Sequence, residues 1–305
     1  MAEQPRKEKR DRMEEQAKQP GTLYLCATPI GNLEDMTYRA VRILGAVPLI
    51  AAEDTRHTRQ LLTHFDIHTK LTSYHEHNKA SKGPELVDWL LAGNDLACVS
   101  DAGLPGISDP GTHLAQLAIE AGIRVTPLPG ANAALSALIC SGLDTRYFTF
   151  IGFLSRQKKE RAEQLGRAQR HTETLIFYEA PHHLKATLQD LAEALGGSRH
   201  ASACRELTKR FEEFRRGTLQ ELADYYAENE PRGEFVLIVE GAAAEAESGT
   251  EEQPKDLASL YASCLAQGLP KKEAMRETAK ALGLSRRDVY QALLSIEGEQ
   301  EAQEE

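Results

Sequence analysis

The 305-residue chain is 41% hydrophobic and 27% charged with a formal net charge of −10, the balance of a soluble globular protein with room for two ordinary domains. No apolar run nears the roughly 18–20 residues of a membrane helix, and the charged opening MAEQPRKEKRDRMEEQAKQP lacks the apolar stretch of a secretory signal. Five scattered cysteines with no CxxC pair exclude a disulfide framework, give no zinc motif and fit a reducing cytoplasm. Residues 1–20 therefore read as a charged, disordered leader. From there TLYLCA (22–27) reads as a strand, TYRAVRILG (37–45) as a helix and PLIAAE (48–53) as a second strand. The alternation continues through TRQLLTHF, KLTSYH, PELVDWLLAG, DLACVS, GTHLAQLAIEAG and RVTPL, and the helix ANAALSALICSG closes a first α/β domain over 21–142. Strands separated by helices of this length predict βαβ units and a mostly parallel sheet.

A second α/β domain is expected over 143–241, from RYFTFIGFL through TLIFYEA, HLKATLQDLAEALG and ASACREL to EFVLIVEG. TKRFEEFRRGTL, placed between the last helix and the final strand, reads as an antiparallel excursion and predicts a mixed sheet. An acidic small-residue linker (242–254) follows, then a helical domain (255–296) in three blocks broken at GLP and GLS, then an acidic tail (297–305). Ser285 is the expected N-cap of the last helix. The pattern fits a helix-turn-helix with Arg286 and Arg287 opening its second helix; the alternative is a small packing or dimerisation module.

Polar residues and glycines gather where the five strands of the first domain end, at Thr28–Leu33, Glu53–His57, Tyr74–Asn78, Ser100–Gly106 and Pro127–Asn132. Ligands of open α/β sheets bind beyond the carboxyl ends of the strands, so five such loops predict one continuous cleft. The first loop carries neither GxGxxG nor GK[ST], which disfavours dinucleotide and P-loop readings. The run DAGLPGISDPG (101–111) sets glycines and prolines around exposed backbone amides, beside a carboxylate, Asp101, that could accept from a ligand hydroxyl or amine.

The loops TPIGNLEDMT, EDTRHTRQLL, SYHEHN, SDAGLPGISDPG and PLPGANAALSALICSGL, densely spaced from Thr22 to Gly241, strongly resemble the tetrapyrrole-methylase superfamily. With FYEAPHHL they are most similar to its branch of small-subunit ribosomal RNA methyltransferases. The resemblance implies two α/β domains with S-adenosylmethionine in the cleft between them, a helix-turn-helix appendage and a homodimer. It also implies 2′-O-methylation of a decoding-centre cytidine in 16S ribosomal RNA within the small subunit, with neither a membrane nor DNA as partner. Carried over position by position, the cofactor would meet Pro29, Ser100, Asp101, Ala102, Gly103, Leu104, Ile107, Ala131, Asn132, Tyr178 and Ala180. Ser100-Asp101-Ala102 replaces the wider superfamily's Gly-Asp-Pro, which counts against a tetrapyrrole substrate.

Methylating a ribose hydroxyl needs an aligned acceptor, and either a base for its proton or charge to stabilise the alkoxide. Glu53, Asp54, Arg56, His75 and Glu76 are the candidate catalytic residues, with Arg56 expected to hold a phosphate or the oxyanion. Asp54 could equally be a helix N-cap with Arg56 solvated. His75 and His77 could share one strand face, but no third ligand is evident and no metal is expected. The RNA surface is assigned to Arg156, Lys158, Lys159 and Arg161, to Lys209 and Arg210 in a second cluster with Arg205, Arg215 and Arg216, and to Arg286 and Arg287. A solvated helix face is the competing explanation of such runs. Two other functions compete: a tetrapyrrole C-methyltransferase, and a non-catalytic ribosome assembly factor.

Overall fold

The alternating segments fold into two five-stranded sheets and a separate helical unit, in a computed structural model that describes residues 19–243, 257–266, 268–282, 284–285 and 288–293. The chain divides into one compact unit ending at Ala242 and another beginning at Ala243. The first sheet holds β1 (Thr22–Cys26), β2 (Leu49–Ala52), β3 (Lys70–Ser73), β4 (Leu96–Val99) and β5 (Arg124–Leu128) in the order β3-β2-β4-β1-β5. All its pairings are parallel. The return crossings run through α1 (Tyr38–Ala46), α2 (Thr55–His64), α3 (Lys79–Leu91) and α4 (Gly111–Glu120). Helices cover both faces, which is why LIAA and LACV are apolar throughout and buried at every position. Leu44, Ile50, Leu62 and Leu128 form the core on one side, and Leu23, Leu86, Leu90 and Leu114 on the other. Because the strands run the same way, their five C-terminal loops share one rim.

The second sheet is mixed, as the sequence predicts. It comprises β6 (Phe148–Gly152), β7 (Thr174–Glu179), β8 (His200–Arg205), β9 (Glu213–Thr218) and β10 (Phe235–Val239) in the order β6-β7-β10-β8-β9. Only β6 and β7 are parallel, joined through α6 (Lys158–Ala168). β8 and β9 are the expected antiparallel excursion. Helix α7 (Pro181–Leu195) and a further helix, α8 (Leu219–Glu228), cover one face of this sheet around Leu175, Phe177, Leu188 and Leu222. Helix α8 is absent from the sequence reading. It opens on a capping box: Thr218 Oγ1 accepts from the Glu221 amide at 3.2 Å and a Glu221 carboxylate oxygen accepts from the Thr218 amide at 2.8 Å.

The other face of the second sheet is closed by α5 (Ala133–Ser141), which leaves the rim of the first sheet after β5. Asn132 caps it through the Leu135 amide at 2.9 Å, and Gly142 ends it with a left-handed φ of 86°. Its Ala134, Ala137 and Leu138 pack on Ile176, Cys204, Val236 and Ile238. The two alanines let the helix lie close, and this one element fixes the second sheet to the rim of the first.

The second compact unit contains α9 (Leu257–Ala266), α10 (Lys271–Leu282) and helical turns over 288–293. Ser285 caps the last stretch as expected: its Oγ accepts from the Asp288 amide, and Asp288 Oδ2 accepts from the Ser285 amide, both at 3.2 Å. Most of the leader and linker, the tail, and Arg286 and Arg287 lie outside the described residues. No described helix is long and apolar enough to cross a membrane.

Candidate functional site

The loops after β2, β4 and β5 meet the end of β7 around a cavity of about 460 Å³. Of the residues expected to meet a cofactor, Ser100, Asp101, Ala102, Gly103, Leu104, Ile107, Asn132, Tyr178 and Ala180 line it. Pro29 instead lines an adjoining cavity of about 360 Å³, with Gly31, His57 and Gln60. Ala131 lines neither, and its carbonyl backs Gly103 from behind.

The wall at 101–111 owes its shape to Asp109, which local sequence pattern does not single out. Asp109 accepts from the amides of Gly106 and Gly111 at 2.8 Å and of Ile107 at 3.2 Å, while Thr112 Oγ1 donates to the Gly106 carbonyl at 2.8 Å. The turn so gathered passes through left-handed backbone at Gly103 (φ 78°), Gly106 (φ 95°) and Ser108 (φ 67°). A pair of backbone hydrogen bonds, 2.9 and 3.0 Å, ties Gly103 to Thr28 at the end of β1. The signal was in the sequence, since Asp109 belongs to the run DAGLPGISDPG, but nothing there says which amides it gathers.

The acidic side is built from two loops that hold each other. The Asp101 amide donates to Glu53 Oε2 at 3.4 Å and the Asp54 amide donates to Asp101 Oδ1 at 3.0 Å. Burial pushes the Glu53 carboxyl up, reinforced by the charges of Asp101 and Asp109, while the Asp101 amide and His75 pull the other way. Asp54 has the capping role: it accepts from the Arg56 amide at 2.8 Å and takes the Arg56 guanidinium at 2.7 Å. The hydrogen bonds from Arg56 hold its carboxyl well below the usual range. Arg56 is 89% exposed and lines neither cavity, so the structure does not bring it to where an oxyanion would form.

Nor do His75 and Glu76 reach either cavity wall. Glu76 pairs with Lys79 at 2.5 Å, and the His75 ring stands edge-on to His77 with its Nδ1 buried and unpartnered. Among the described residues no group of three or more potential ligands could hold a metal.

The basic residues divide. Arg156, Lys158, Lys159 and Arg210 are exposed. Arg161 is not: it donates to Asp190 at 2.6 Å and to Thr187 Oγ1 at 2.9 Å, and that hydroxyl donates to the buried Glu179 at 2.5 Å. Its assignment to an RNA surface is corrected, because the guanidinium is spent on bracing α6 against α7. Arg205 and Arg215 share Glu213, and Arg216 donates to the Ser141 and Cys140 carbonyls at the C-terminal end of α5. Lys209 lies at the cleft, on the boundary of both cavities.

Residues 22–223 match the Tetrapyrrole (Corrin/Porphyrin) Methylases family, and residues 251–297 match the RsmI C-terminal HTH domain. The chain is 52% identical over 277 residues to a protein of Halalkalibacterium halodurans named Ribosomal RNA small subunit methyltransferase I, covering 88% of this chain and 93% of that one. Identically named proteins of Bacillus subtilis and Synechocystis are each 50% identical, covering 89% and 92% of this chain and 94% and 99% of their own. Among solved structures, uroporphyrin-III-C-methyltransferase from Thermus thermophilus superposes with a TM-score of 0.53 at 19% identity, over 72% of this chain and 94% of that one. A structure of the same enzyme complexed with S-adenosylhomocysteine gives 0.52 at 18% identity, over 72% and 97%. Diphthine synthase gives 0.57 at 10% identity, over 72% and 89%. Such low identities speak for the fold alone.

Proposed function

Because the chain belongs to the tetrapyrrole (corrin/porphyrin) methylase family, we propose that it transfers a methyl group from S-adenosylmethionine to the 2′-oxygen of a decoding-centre cytidine in 16S ribosomal RNA. The observation that carries this reading is the adjoining pair of cavities with Asp101 on their common boundary, one for the donor and one for the acceptor. The choice of RNA is supported by the names of relatives at half identity over almost the whole chain.

The larger cavity suits the donor. Its volume of about 460 Å³ falls in the usual range for small-molecule sites, roughly 300–1,000 Å³. Leu104, Ile107, Tyr178 and Val236 give an apolar wall for a heterocycle, while Glu53, Asp101 and Glu179 give the negative charge a cationic ligand favours. Residues 100–107 would hold the amino-acid and ribose parts, and Tyr178 and Ala180 the adenine. When bound, S-adenosylmethionine supplies a methyl group on a positively charged sulfur, primed for in-line displacement. The chain's own task is to fix the acceptor oxygen in line, keep water out and take the hydroxyl proton. Asp101 and Glu53 are the carboxylates positioned for that proton.

The exposed Arg156, Lys158 and Lys159 supply phosphate contacts beyond the cleft. A second copy of this chain is the proposed cover for the exposed apolar side chains Leu135 and Ile139 of α5 and Phe148 and Phe150 of edge strand β6. Residues 21–142 and 143–241 act as the two walls of the cleft, 255–296 as an accessory RNA-facing domain, and the protein works in the cytoplasm, where its substrate lies. Labelled S-adenosylmethionine incubated with small subunits lacking the modification, followed by nuclease mapping, tests the reading. Label in a 2′-O-methylated decoding-centre cytidine is expected; transfer to a base, to another RNA or to a tetrapyrrole alone would overturn it.

A further inference from the structure

The two cavities meet at one cation. Both are bounded by Ile30, Ser100, Asp101, Ala102, Lys209 and Glu234, and of these Lys209 alone carries a positive charge. It sits in the turn between β8 and β9, where Glu206 (φ 49°) and Thr208 (φ 66°) take left-handed backbone that side-chain-bearing residues rarely adopt. The turn is held on all sides. The Thr208 amide donates to Glu212 at 2.6 Å, the Glu206 amide to the Glu234 carbonyl at 3.0 Å, and the Glu234 amide to Glu206 Oε1 at 3.0 Å.

From there the side chain reaches across to the first sheet. Its stem lies over Gly31 in the loop after β1, where a Cβ would collide with Lys209 Cγ. The ammonium donates to Glu206 Oε1 and Glu234 Oε2, each at 2.9 Å. Those are two of the three donors an ammonium has, which leaves one for a ligand at the divide. Burial favours the neutral amine, but the hydrogen bonds to Glu234 and Glu206 outweigh it and hold the group a cation.

The geometry points to Lys209 as a catalytic residue, the group whose free N–H stabilises the negative charge developing on the acceptor oxygen while methyl transfer proceeds. This rests on the proposed methylation of a ribose hydroxyl. In that step the acceptor oxygen bonds to the methyl carbon as the carbon–sulfur bond breaks, with its electron pair passing to sulfur. The hydroxyl proton passes to Asp101, the carboxylate common to both cavities that Lys209 does not engage. An immobilised donor aimed where charge develops stabilises the transition state more than the bound substrate, and so acts on kcat. Arg56, the residue that the strand-end loops suggest for this task, has its exposed guanidinium tied to Asp54 outside both cavities.

The test compares K209M, K209R and G31A with the unaltered full-length chain. Calorimetry gives affinity for S-adenosylmethionine, filter binding gives affinity for unmodified small subunits, and kcat is read with both saturating. K209M is expected to keep both affinities within about threefold and to lose roughly 100- to 1,000-fold in kcat, the scale for removing one oxyanion donor. K209R recovers at least about tenfold of that loss by restoring the charge, and G31A, which keeps the lysine but pushes it from the divide, falls between. K209M with unaltered kcat, or with its whole defect in subunit affinity, would make Lys209 a phosphate anchor and overturn the inference. Should K209M fail to fold, G31A decides: unaltered kcat there overturns it equally. No transfer by the unaltered chain to any ribose hydroxyl would sink the rRNA reading and this inference together; transfer by it at equal rate with K209M would sink the inference alone.

Discussion

Two basic stretches of this chain read alike as sequence and end in different places. Residues 156–161 carry Arg156, Lys158, Lys159 and Arg161, and residues 205–216 carry Arg205, Lys209, Arg210, Arg215 and Arg216. In the first, three of four charges face solvent; in the second, four of five are engaged by Glu213, Glu206, Glu234 or the last carbonyls of α5. The difference lies in the elements. The first stretch opens α6, a surface helix with Ala168 as its one buried residue, whereas the second is an antiparallel ribbon lying against α5 and α8. A charge count locates a patch only when the element that carries it has a free side.

Charges turned inward should report on stability or on the shape of the site, and charges turned outward on partners. After the loss expected for K209M, the largest effect is expected at Asp109, whose carboxylate gathers three amides. Asp109→Ala should weaken S-adenosylmethionine by about 10- to 100-fold in calorimetry, because the turn that lines the cavity loses the carboxylate that gathers it. Arg161→Ala comes next. Breaking its bonds to Asp190 and Thr187 should destabilise the protein by about 1–3 kcal/mol in denaturant titration and leave salt-dependent RNA binding unaltered. An unaltered midpoint with weaker RNA binding would return Arg161 to the surface set.

Glu53 gives a smaller, pH-dependent effect. Its carboxyl is raised by burial, so the native state holds the proton more tightly than the unfolded chain, and stability is lost as pH rises through the native value. Glu53→Gln should therefore raise Tm at pH 8, with the gain fading toward pH 4; a gain confined to acid pH would reverse the assignment. Least of all should the double reversal K158E/K159E change stability, by within about 0.5 kcal/mol. Its effect belongs to RNA: lower affinity, a slope of log affinity against log salt shallower by about two, and unchanged cofactor binding. Equal RNA affinity at every salt concentration would show that α6 does not face the substrate.

The first sheet was legible because its strands are buried on both faces, so unbroken apolar runs such as LIAA and LACV alternate with amphipathic helices. The larger cavity was legible because its walls are continuous stretches, 100–104 and 178–180, which the family resemblance also marks. Helix α8 has its signal in the sequence: Thr218 and Glu221 form a capping box at its start, with Leu219, Leu222, Ala223 and Tyr226 at helical spacing, but the strand pair just before it masks that pattern. What could not be read joins distant residues. Arg161 finds Asp190 29 positions on, and Lys209 finds Gly31 in the other half of the unit. Local periodicity records which face of an element is buried and carries no address for its partner.

Helix α5 has a consequence for how this protein melts. It springs from the first sheet's rim and forms the floor of the second, with Ala134, Ala137 and Leu138 buried there. Neither half can be released without stripping that helix from one of them, so the two sheets are expected to unfold as a single cooperative transition. A ligand held between them then acts as a clasp on the whole unit. At a free concentration one hundred times its dissociation constant it would add about 2.7 kcal/mol to the stability of both sheets together, in one calorimetric peak rather than two.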